Sequence, residues 1–222
     1  MIQHPIPGPL KNSLFDRLLA AFPDGLTALT FLSIWILPLG YGDNGVRNGM
    51  LIMLVEFILV HASGMLGARL LNPDTSPRDK TLSVLGFGVF YLVFISAWAW
   101  TFHAWWPYLA FAWLLVGKFM AAIDTRLPSR ERKRRMQSDW AIGAMAYLGG
   151  VFATVMLPVP RLGITIEVIH QLHLPGSGLW VNEPQRVIAF GMVYFAVLAW
   201  VKYKNYALPE NALPKSSTAA EP

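Results

Sequence analysis

One acidic side chain, Glu56, lies inside the apolar stretch at residues 48–71, NGMLIMLVEFILVHASGMLGARLL. An ionisable group in such a stretch is costly and must face protein or water instead of lipid. On helical spacing Glu56 shares a stripe with Ile52, Ser63 and Gly67, and the last two offer a small-residue patch where another helix can approach closely. His61 is five positions on, about 140° around the helix, and shares a face with Phe57, Gly64 and Ala68 instead. Glu56, His61 and Ser63 therefore form a candidate intramembrane polar site, and the chemistry it offers is proton or cation handling. The competing reading is a glutamic acid that fastens helices together, with Tyr91, Ser96, Tyr147, Thr154 or Tyr194 as its partner from another span.

Three further groupings have a chemical reading. Glu167, His170 and His173 form an E-x-x-H-x-x-H series, with His103 and Glu183 expected on the same side of the membrane; imidazole and carboxylate suit zinc, copper or iron. That i, i+3, i+6 spacing spreads the side chains over about 120° of a helix, unlike the i, i+4 histidines of a metalloprotease. Loop histidines facing solvent are the simpler reading. A bis-histidine haem lacks its second ligand, because only His61 lies within a span. The run RLPSRERKRR contributes Arg126, Arg130, Arg132, Lys133, Arg134 and Arg135; a short basic loop beside spans is explained by topology and by anionic lipid, without nucleic acid. With no cysteine, no phosphate-binding glycine loop and no G-x-S-x-G elbow, thiolate metal centres, nucleotide-driven chemistry and a serine-hydrolase site are not indicated. No catalytic residues and no cofactor are read.

The elements that must position these residues are legible in the composition. Of 222 residues, 55% are hydrophobic and only 14% charged, with mean hydropathy +0.43, whereas a soluble domain carries about 25% charged residues. A helix crossing the hydrocarbon core uses roughly 20 apolar residues. Runs near that length predict six transmembrane helices at about 25–40, 48–71, 82–101, 104–123, 140–157 and 187–203. Unbroken runs exclude the alternating segments of a transmembrane barrel. The expected fold is all-α, a polytopic six-helix bundle in one domain (1–206), with a disordered cytoplasmic tail at 207–222. Leu10, Leu14, Phe15, Leu18, Leu19 and Phe22 share one face of residues 10–22, which predicts an amphipathic interfacial helix before the first span. No cleavable signal peptide is read at the start.

Fifteen of the eighteen lysines and arginines fall on one side of this topology, leaving only Arg47, Arg161 and Arg186 on the other. Positive residues near span ends are retained in the cytoplasm, so both termini are expected there. Most tryptophans mark the predicted lipid–water boundaries, while Trp35 and Trp113 lie deeper and are expected to pack between helices. The outer loop at 158–186 is too apolar for a free linker, which predicts a short helix or strand folded against the mouth of the bundle, with a turn at 175–178.

Two stretches, VEFILVHASGMLG (55–67) and GLWVNEPQRVIAFGMVYF (178–195), carry E-F-x-x-V-H and W-x-x-E-P motifs. Together they resemble a family of uncharacterised bacterial multi-pass inner-membrane proteins. The resemblance implies a bacterial inner-membrane location and importance for Glu56, Phe57, His61, Trp180, Glu183 and Pro184; it implies no activity. The function expected is passage or sensing of a proton, ion or small solute at Glu56. The alternative is a non-catalytic scaffold or accessory subunit of a larger complex, and a weaker third option is a metalloenzyme using His103, His170 and His173. The partners expected are the bilayer, anionic lipids at the cytoplasmic face, and further copies of the chain or a hetero-complex.

Overall fold

A computed structural model describes residues 13–42, 44–70, 76–123 and 129–208, and every regular element among them is helical. Eight α-helices follow in order: α1 (Leu14–Ile36), α2 (Asn44–Leu70), α3 (Pro77–Thr101), α4 (Trp106–Ile123), α5 (Ser129–Met156), α6 (Ile166–Leu172), α7 (Leu179–Asn182) and α8 (Pro184–Lys204), with a 3₁₀ turn at Pro38–Tyr41 after α1. Helices α1, α2, α3, α5 and α8 are long and apolar enough to cross a membrane, and α4 contributes a shorter apolar segment, Trp106–Val116. This is the architecture of a helical membrane bundle, as only segments whose backbone bonds close internally suit hydrocarbon.

Two boundaries and one side-chain placement differ from the hydropathy reading. The expected interfacial helix and first span are one continuous helix, α1, which Ser13 opens with a capping box: its Oγ accepts from Asp16 N at 3.2 Å, while Asp16 Oδ2 accepts from Ser13 N at 3.0 Å. Pro23 removes one intrahelical donor without ending the helix. Leu14, Phe15, Leu18, Leu19 and Phe22 are each more than half exposed on its first turns. Second, α5 begins at Ser129, well before the expected 140, because charged residues end an apolar window without breaking a helix. Third, Trp113 is 78% exposed and faces away from the bundle, correcting the expectation that it packs between helices; Trp35 is buried as expected. Lys11, Arg126 and the tail from 209 lie outside the described residues, as do the side chains of Lys118, Arg130, Arg132 and Lys133.

Helices α1 and α8 pack antiparallel over their length, with α2 running parallel to α8 and α5 antiparallel to it. Glycines set the approach. The Phe31 ring sits where a Cβ at Gly191 would stand and within 3.5 Å of one at Gly49, so α1, α8 and α2 close around a single ring. Phe190 of α8 likewise lies 2.5 Å from where a Cβ at Gly150 of α5 would be, and the Trp140 indole covers Gly64 of α2. Two apolar cores result: a larger one among α1, α2, α5, α6 and α8, and a smaller one where Ile58, Ala62 and Leu66 of α2 meet the α3–α4 hairpin. Helix α2 serves both.

Adding a methyl at Gly191 must displace Phe31. Gly191→Ala is expected to lower stability by about 1–3 kcal/mol, read as a lower unfolding midpoint of the detergent-solubilised protein, and Phe31→Leu in the same chain is expected to recover part of the loss.

Candidate functional site

Glu56 lies about 18 Å from the first residue of α2 and about 21 Å from its last, at 1.5 Å per residue, and so stands at mid-bundle. Tyr194 is midway along α8. Its hydroxyl donates to Glu56 Oε1 at 2.7 Å, which selects Tyr194 among the five partners the sequence allowed. One turn along α2, the Tyr147 hydroxyl of α5 donates to the Met53 carbonyl, also at 2.7 Å. The two tyrosine rings stand edge to face, with centroids 5.6 Å apart, and Phe190 packs on both. Two hydroxyls from two helices therefore converge on successive turns of α2, walled by aromatic rings.

A second polar pair, absent from the sequence reading, lies toward the end of the bundle that carries Lys202 and Lys204. Lys202 Nζ of α8 meets Asp24 Oδ2 of α1 at 2.5 Å. Gly25 stands opposite Ala199, five residues or about 7.5 Å along α8 from Tyr194. The signal that could have found the pair was a carboxylate inside an uninterrupted helix; treating residues 10–22 as a separate surface helix placed Asp24 in a connection.

The remaining candidates are not gathered with Glu56. Ser63 is about 10.5 Å further along α2, two turns away. His61 is exposed, its ring edge-on to Phe57 at 5.7 Å and 6.5 Å from the Tyr91 ring, on the side where α2 meets the hairpin. Arg134 and Arg135 begin the apolar part of α5; Arg134 donates to the Leu208 carbonyl at 3.5 Å, and the Leu208 N–H donates to Ser138 Oγ at 2.8 Å, tying the chain after α8 to α5.

At the opposite end, α6 and α7 cap the bundle, as the apolar outer loop predicted. Ile164 and Leu172 are fully buried beneath them. The Trp35 indole N–H donates to the Pro160 carbonyl at 3.0 Å, and the Gly163 N–H returns a bond to the Trp35 carbonyl at 3.0 Å. Arg186 pairs with Glu183 and donates to the carbonyls of Thr154 and Leu157, at 2.5 and 3.1 Å, satisfying acceptors that the end of α5 leaves free. Glu167 opens α6 in full solvent; a hydrogen bond from the Thr165 hydroxyl holds its carboxyl below the usual carboxylate range. His170 and His173 line a common groove, which neither Glu167 nor His103 joins. Among the described residues no three His, Asp or Glu side chains are placed to hold a metal ion.

Among its described residues the chain is thus all-helical, of the membrane-bundle class. No family model, curated protein or solved structure matches it. The motifs at 55–67 and 178–195 accordingly bring no family with them, and function has to be argued from geometry.

Replacing Tyr194 with Phe removes the only donor atom of that ring while keeping its packing. Stability is expected to fall by about 0.6–1.7 kcal/mol, the range of interhelical hydrogen bonds in membranes, measured by denaturant unfolding in micelles; Tyr147→Phe is expected to cost a similar amount.

Proposed function

We propose that this is a six-span protein of a bacterial inner membrane, with both termini cytoplasmic, that passes or senses a proton, ion or small solute at Glu56. The sixth crossing is α4, whose 18 residues reach about 27 Å, close to the hydrocarbon thickness. The distribution of lysine and arginine supports the orientation: Lys202 and Lys204 end α8 at the end proposed to be cytoplasmic, while Arg161 and Arg186 belong to the capped end. The exposed apolar side chains on the first turns of α1 suit burial in the adjoining leaflet.

The observation that carries the reading is the hydrogen bond between Tyr194 and Glu56 at mid-span, with the Asp24–Lys202 pair below it. A hydroxyl donor serves a carboxylate and a carboxylic acid alike, so Glu56 can gain or lose a proton at its second oxygen without releasing α8. The Asp24–Lys202 pair supplies the next ionisable groups toward the cytoplasmic end. On the other side Met50, Leu51, Ile188 and Phe190 are all 2% exposed or less, forming an apolar seal between Glu56 and the capped end. The arrangement suits a carboxyl that exchanges with the end carrying Asp24 and Lys202 and is closed off from the capped end.

Glu56→Gln and Glu56→Ala, reconstituted in proteoliposomes under an imposed pH or ion gradient, are expected to reduce flux at least tenfold. Tyr194→Phe is expected to reduce it by a smaller factor. Unchanged flux in both Glu56 variants leaves the residue as a fastener between α2 and α8 and removes it as a site.

A further inference from the structure

The groove at the capped end is independent of Glu56. It is an open cleft of about 490 Å³, within the range of about 300–1,000 Å³ typical of ligand sites. Arg161, His170, His173 and Asn182 supply its polar lining, and Ile169 and Val181 are among its apolar walls. No carboxylate lines it, since Glu167 lies outside and Glu183 is taken by Arg186. Among the described residues Arg161 enters no ion pair, leaving a permanent cation with a planar fork of donors facing an otherwise neutral cleft.

The groove is also held in shape. Leu172 anchors α6 in the core, Thr165 caps the start of that helix, and the Trp35 bonds fix the segment that carries Arg161. His173 takes a left-handed backbone, φ 42° and ψ 52°, where glycine is the ordinary occupant. Its Nδ1 lies 2.8 Å from the Gln171 carbonyl. A carbonyl can only accept, so Nδ1 carries the proton and Nε2 is the nitrogen left for a ligand. The left-handed turn that closes α6 and the bond to Gln171 thus set an imidazole with Nε2 available on the wall of the cleft. Four of its eight lining residues are apolar, Ile166, Ile169, Leu174 and Val181, and Ile166 is 54% exposed, which suits an occupant with an apolar body more than a free ion.

We propose that this groove binds an anionic phospholipid whose phosphate pairs with Arg161 and whose headgroup hydroxyls reach His173 Nε2 and Asn182, the acyl chains running along the apolar rim. Arginine matches phosphate oxygens with paired N–H donors, and a neutral imidazole nitrogen accepts from a hydroxyl. A zwitterionic lipid brings a cation to the same cleft and fits it less well.

The test uses the full chain purified in mild detergent, titrated with phosphatidylglycerol or phosphatidylcholine and followed by native mass spectrometry. The wild type is expected to retain phosphatidylglycerol several-fold over phosphatidylcholine, and Arg161→Gln to lower the retained phosphatidylglycerol about tenfold. His173→Gly, which relieves the backbone and so keeps the fold, is expected to lower it a few-fold while the unfolding midpoint holds or rises. Equal retention of the two lipids by the wild type, or undiminished phosphatidylglycerol in both variants, overturns the assignment. A phosphatidylglycerol loss confined to Arg134→Gln places the bound lipid at the other end of the bundle and overturns it equally.

Discussion

The Phe31 ring, seated against the bare backbones of Gly49 and Gly191, fixes how α1, α2 and α8 stand relative to one another. In a bilayer no hydrophobic force distinguishes one helix face from another, so close approach at small residues is what sets register. A slip of one residue along α8 moves a side chain by about 1.5 Å and turns it by about 100°. Tyr194 would then no longer meet Glu56, and Gly25 would no longer face Ala199 beside the Asp24–Lys202 pair. The polar contacts at mid-span thus inherit their geometry from an apolar one, and they make the alternatives worse by leaving a half-buried carboxyl without its partner in any other register.

Five long apolar helices were legible because lipid imposes a length and a composition on anything that crosses it, whereas the fourth expected span holds only a shorter apolar segment, Trp106–Val116. The helix ends were less so. Hydropathy reports where a segment becomes apolar, while the helix starts where capping and propensity allow, which is Ser13 for α1 and Ser129 for α5. Glu56 stood out as a charge in an apolar run, but nothing in its neighbourhood along the chain distinguished Tyr194 from four other candidates. That choice belongs to packing between helices 138 residues apart. Asp24 was missed for the opposite reason: its neighbours read as a surface segment, and only the continuity of α1 through Pro23 carries it into the bundle. Trp113 shows a similar limit, since depth in a span says nothing about which face a ring takes.

The capped end follows a different logic. There the chain leaves helical geometry and each freed backbone group must find a partner, which Arg186, Trp35 and Gly163 supply. A Cβ at Gly163 would run into the Ile36 carbonyl, so this connection lies directly on the end of α1. The segment at 160–163 is thereby part of the bundle's frame, and the backbone that carries Arg161 is tied to the end of α1.

The most extensive helix pairing joins the first described helix to the last. Synthesis proceeds from one end at about 5–20 residues per second, so α1 emerges roughly ten to thirty seconds before α8 exists to receive it. During that interval the groove in which Phe31 will lodge is half built, and α1 must wait in lipid or lean on a temporary companion. Assembly of the pair is accordingly a closing of the circle, completed only when α8 arrives.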